Sequence, residues 1–128
     1  MSSMLWTYLA VAIGGAIGCC ARLGVTQAVH AVYGRDFPLA TLVINVVGCL
    51  LIGFLFFATI ERLSVSPTLR TAIITGGLGG FTTFSTFAME SLLLIEDGEI
   101  ARAALYLTLS VVLGLTAAFL GAYIARSL

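Results

Sequence analysis

Thr82-Thr83-Phe84-Ser85-Thr86-Phe87, followed three residues later by Glu90, concentrates hydroxyls, aromatic rings and a carboxylate in one short stretch. Hydroxyls can solvate an ion that has lost its water. A phenyl ring carries a positive edge, so rings presented edge-on can touch an anion without the trapping strength of arginine. Phe81, Phe84 and Phe87 recur every third residue, a spacing that serves packing as well as anion contact. Just upstream, Gly76-Gly77-Leu78-Gly79-Gly80 places four glycines in five residues, which favours non-helical backbone and close approach. The whole stretch lies inside an apolar segment, where freed amides and hydroxyls need partners. It is expected to break a membrane helix, and broken helices at membrane depth usually mark an ion or substrate site.

Few other polar groups interrupt the apolar segments. Asn45 stands at the middle of Ala40-Thr41-Leu42-Val43-Ile44-Asn45-Val46-Val47-Gly48, where its carboxamide can donate to a desolvated anion or bond another helix. Glu90 is the acidic group well inside an apolar run, either a proton or cation site or a carboxylate satisfied by neighbouring hydroxyls. Tyr106 and Ser110 are four apart and share a helix face, a short line of hydroxyls that can also bond their own helix carbonyls. Arg22 follows the small-residue run Gly14-Gly15-Ala16-Ile17-Gly18 and is either structural or a source of anion attraction. His30 reads as an interfacial residue, Trp6 and Tyr123 as interface anchors, and Cys19, Cys20 and Cys49 as small packing residues.

The elements that must position these groups follow from composition. Hydrophobic residues fill 60% of 128 positions and charged residues only 9%, against about 25% charged in a soluble domain. Four apolar segments, about 5–32, 39–60, 69–94 and 100–125, each reach the length of a membrane helix. The expectation is one all-α, four-span membrane domain over residues 1–128. The first segment lacks a basic n-region and reads as a retained span. Pro38 and Ser66-Pro67 suit helix starts, and Gly98 in Glu96-Asp97-Gly98-Glu99 suits a left-handed C-cap.

All six basic residues are arginine. If spans alternate, Arg62, Arg70 and Arg126 lie on the N-terminal side, and Arg35, Arg102 and, near the far end of its span, Arg22 on the other. The near tie leaves two outcomes open: weakly determined orientation, with copies meeting antiparallel, or one orientation fixed by a dominant arginine.

Gly79-Gly80 before Thr82-Thr83-Phe84-Ser85-Thr86-Phe87, with Glu90 after it, resembles the signature of the Fluc (CrcB) family of small fluoride channels. Thr41-Leu42 with Asn45 and Gly48 is similar to that family's second-span motif, and Gly14 through Arg22 to its first, so the resemblance covers essentially the whole chain. It implies a dual-topology antiparallel homodimer with fluoride pores along the subunit interface. The broken third helices would meet around a structural Na+ held by the backbone carbonyls of Gly79 and Thr82. Phe84 and Phe87 would be pore rings, Asn45 a donor on the fluoride path, Ser85 and Thr86 further polar groups along it, and Tyr106 and Ser110 a polar track with Glu90 nearby. Two family hydroxyls fall on Gly114 and Ala118 here, and Ala40 stands where the family usually has glycine.

Fluoride is strongly hydrated, so a pore must replace its water yet release the ion. Passive export of fluoride across a bacterial inner membrane is the expected function, with lipid, fluoride and a second copy as partners, and neither enzyme activity nor a nucleic acid. A dual-topology proton-coupled multidrug exporter is the alternative. It wants a carboxylate in the first span, where Arg22 and His30 stand. A membrane hydrolase would need a base for Ser85, and His30 lies in another segment.

Overall fold

The computed structural model describes residues 2–128, helical almost throughout, with no strand among the described residues. Four helical stretches are long and apolar enough to cross a membrane: span 1, Ser3–Tyr33; span 2, Leu39–Arg62; span 3, Pro67–Glu96; and span 4, Ile100–Arg126. The chain is a multi-pass membrane protein. Its connections use the expected chemistry. Ser66 Oγ accepts from Leu69 N–H at 3.2 Å with Pro67 in the first turn. Gly98 takes φ 76°, while Glu99 N–H donates to Leu94 C=O at 2.8 Å, closing span 3.

Lipid is as apolar as leucine, so association of the spans depends on close packing rather than on expelling water. Span 4 packs mainly on span 2, and span 1 on the first half of span 3. Small residues set both seams. A methyl group added to Gly76 would stand 2.6 Å from Val11 O, and one added to Gly80 would stand 2.7 Å from Gly15 O. Gly14 and Gly18 likewise press on the carbonyls of Ala72 and Gly77. Between spans 2 and 4, Gly53 abuts the Ala118 carbonyl and Gly121 that of Leu50.

This corrects the expectation that the glycine run is non-helical. Residues 72–78 form a π-helical segment and residues 79–81 a last helical turn, so the glycines serve close approach to span 1. The helix stops two residues later instead. Thr82 (φ −84°, ψ 158°) and Thr83 (φ −151°, ψ 113°) are extended, and helix resumes over Phe84–Glu96.

Cys20 is exposed; Cys19 is exposed overall, yet its Sγ lies 3.2 Å from where a Gly80 side chain would begin, and Cys49 is half-buried. The basic groups expected on one side do gather. Arg62 donates to the Arg126 carbonyl at 2.6 Å, Arg126 pairs with Glu61 at 3.6 Å, and Arg70 Nε donates to Thr59 Oγ1 at 2.9 Å. Trp6 and Tyr123 are exposed.

Gly76→Val tests the seam, because its new side chain meets backbone that cannot swing away. We expect a cost of about 1–3 kcal/mol, read as earlier thermal loss of the monodisperse peak in detergent. Gly24→Ala, whose methyl meets nothing within 4 Å, should hold or slightly raise that temperature.

Candidate functional site

Two extended residues inside a membrane helix strand backbone groups that have no water to turn to. Asn45 on span 2 answers for Thr83 on both sides. Its Nδ2 donates to Thr83 O at 3.0 Å, and Thr83 N–H donates to its Oδ1 at 2.9 Å. Of the two roles open to Asn45 from sequence, the interhelical bond is therefore made, and the second N–H of its amide is left over. Thr83 then restarts the helix: its Oγ1 accepts from Thr86 N–H at 3.2 Å and donates to Thr86 Oγ1 at 2.9 Å. Gly48, one turn beyond Asn45, is where the Thr82 methyl packs.

The interruption separates the carbonyls of residues 79–82 from their helical donors, those of Gly79 and Thr82 among them. Within a continuous helix Gly79 O would take the Thr83 N–H and Thr82 O the Thr86 N–H. Those donors go to Asn45 and to the Thr83 hydroxyl.

The rings after the interruption part company with the one before it. Phe84 and Phe87 have centroids 5.6 Å apart and line a groove of about 440 Å³ with Asn45, Cys49, Thr83 and Ser110. Phe84 is 78% exposed, while Phe87 leans on Tyr106, centroids 5.2 Å apart. Phe81 instead lines an apolar groove against spans 1 and 2.

Tyr106 is fully buried and donates its hydroxyl to Glu90 Oε1 at 3.0 Å. That contact satisfies the carboxylate by a neighbouring hydroxyl, one of the two readings its sequence position allowed. It also commits the phenol's proton, so Tyr106 as placed offers an anion no donor. Ser110 differs. Its Oγ is buried and lacks a hydrogen-bond partner among the described residues. Ser85 and Thr86 are exposed, and the nearest side-chain contact of Ser85 Oγ is Thr83 Oγ1, 3.5 Å away.

Arg22 is not in the groove. With Thr41, Thr83, Thr86, Glu90 and His30 it lines a second, more polar cleft of about 360 Å³. Its close polar contact is weak, Nη2 to Cys19 Sγ at 4.0 Å. His30, taken as interfacial from sequence, faces the same cleft. Thr83 is the wall common to groove and cleft, and its role as hub was missed. The signal lay in its hydroxyl three residues before another threonine, the N-cap spacing, after a glycine run.

Residues 9–122 match the family model described as CrcB-like protein, Camphor Resistance (CrcB). A protein of Acidithiobacillus ferrooxidans named fluoride-specific ion channel FluC is 53% identical over 124 residues, covering 97% of this chain and 99% of the relative. Proteins of the same name from Geobacter sulfurreducens and Magnetococcus marinus are each 45% identical, covering 95% and 91% of this chain and 98% and 94% of themselves. With nine-tenths of its length matched and a relative 53% identical over nearly the whole of both chains, the chain belongs to the CrcB family.

Proposed function

We propose that this protein is a fluoride-specific channel that lets fluoride leave the bacterial cytoplasm passively across the inner membrane. Weak acid entering as HF dissociates inside, and the trapped ion then exits down its electrochemical gradient. The observation that carries the reading is the groove lined by Asn45, whose amide has a spare N–H, by Ser110, whose hydroxyl has no partner among the described residues, and by the rings of Phe84 and Phe87. Each is a weak anion contact, so together they can replace water without holding the ion. Arg22 in the adjoining cleft, which Thr86 also lines, attracts the anion toward that groove, and the exposed Ser85 serves its approach. Relatives bearing the fluoride-channel name support the same substrate. Span 1 holds no carboxylate, which speaks against a proton-coupled multidrug exporter.

Purified protein in liposomes should release loaded fluoride far faster than protein-free vesicles; equal rates would remove the proposal. In the same assay Phe84→Ile and Phe87→Ile keep apolar bulk but delete the ring quadrupole, and initial efflux should fall about tenfold or more. Phe81→Leu should stay within about twofold, since Phe81 faces elsewhere. Wild-type flux in both Ile variants, with the protein still monodisperse, would reduce the two rings to wall packing.

The assembly we propose is an antiparallel homodimer inserted in dual topology, its groove completed by the second copy. Three arginines at one end against three toward the other leave orientation weakly biased, and the 78% exposure of Phe84 leaves a ring for a partner to cover. Placing two or three arginines in the 97–99 loop should abolish export unless an oppositely biased copy is coexpressed. A C-terminal reporter found on one side only in the unaltered protein would refute dual insertion.

The carbonyls of Gly79 and Thr82, whose helical donors are diverted, fit a structural Na+ at the dimer centre. Two copies would supply four oxygens to it, the donor type a hard cation prefers. An experimental structure of the dimer should show density between those oxygens. Finding each of them paired to an N–H instead would dismiss the ion.

A further inference from the structure

Along span 4 the hydroxyls of Tyr106 and Ser110 succeed each other by one turn, and the next position of that line, Gly114, has no side chain. The space is not vacant. The nearest atom to where a Gly114 side chain would begin is Cys49 Sγ, 3.4 Å away on span 2. One turn further the two spans close, Gly53 resting on the Ala118 carbonyl, so no further polar group fits.

Resting on the channel reading above, we infer that Cys49 supplies the third polar contact of this line, its S–H turned to the passing anion where span 4 offers nothing. Two independent features carry this. Cys49 and Ser110 line the groove that holds Asn45, Phe84 and Phe87. Ser110 Oγ, one turn from Gly114, is buried without a partner among the described residues, a hydroxyl kept for something that is not part of the chain. Tyr106 donates its hydroxyl to Glu90, so beside the spare N–H of Asn45 the donors left on this wall are Ser110 and Cys49. A thiol is a weaker donor than a hydroxyl and loses an ion more readily.

The test is initial fluoride efflux from liposomes for wild type, Cys49→Ser, Cys49→Ala and the double variant Cys49→Ala/Gly114→Ser, each checked for a monodisperse peak. Removing one donor from a desolvated path should slow Cys49→Ala about tenfold. Cys49→Ser should stay within about threefold of wild type. The double variant, which returns a hydroxyl to the same spot from the opposite helix, should recover most of the loss. A packing role would treat Ser and Ala alike, and the added serine would not rescue. Cys49→Ala at wild-type rate, or a folded double variant no faster than Cys49→Ala, overturns the inference while leaving the channel standing. No efflux from wild-type vesicles removes the channel and this role with it.

Discussion

Two extended residues inside a hydrocarbon slab are affordable only where their amides are met, and here one side chain meets them. Asn45 takes the Thr83 N–H and serves the Thr83 carbonyl, a cyclic pair that mimics what a neighbouring strand would give. Each unpaired group would cost several kcal/mol in lipid, roughly the scale of a whole small protein's stability when counted together. Everything else at the site inherits its place from that pair. Thr83 is held where its hydroxyl caps the resumed helix, and the cap sets the direction in which Phe84 and Phe87 emerge.

The glycines and the interruption divide a task that sequence alone merges. A missing Cβ permits both unusual backbone and close approach, so Gly76 through Gly80 could signal either. Against span 1 the second use wins: Gly76 and Gly80 lie in helical backbone, and Val11 O and Gly15 O stand where their side chains would be. The four spans, the Ser66 cap and the Gly98 turn were legible because they depend on composition and on neighbours within a few residues. Asn45 and Thr83 are 38 residues apart and Tyr106 and Glu90 are 16 apart. No periodicity reports such pairs. Their residue types were singled out because polar groups in an apolar run must have partners, but which partner each took depends on how the helices cross.

Charge placement around the site follows the same economy. Glu90 could repel an anion, yet the Tyr106 hydroxyl donates to it and Phe87 covers that phenol. Arg22 lies across the cleft without an ion pair to Glu90; the salt bridges among the described residues are Arg102–Glu99 and Arg126–Glu61, both at the ends of the spans. The guanidinium thus has no carboxylate partner in the cleft, and the Glu90 carboxylate accepts from a neutral donor rather than from that arginine.

An anion path built from neutral donors has a consequence for selectivity. Arginine in the groove would bind any small anion and release it slowly, whereas on the proposed reading one amide N–H, one serine, one thiol and two phenyl rings would each contribute little and have to act together at short range. Short range favours the smallest anion, because its charge approaches every donor closely, and Coulomb attraction falls with distance. A larger anion, however, gives up less hydration, so weak donors alone would favour it; to select the smallest anion the donors must be held too close together to open for a larger radius. Discrimination then depends on how rigidly the donors are held, and rigidity returns to the Asn45–Thr83 pair, which fixes one wall of the groove and one wall of the cleft at once.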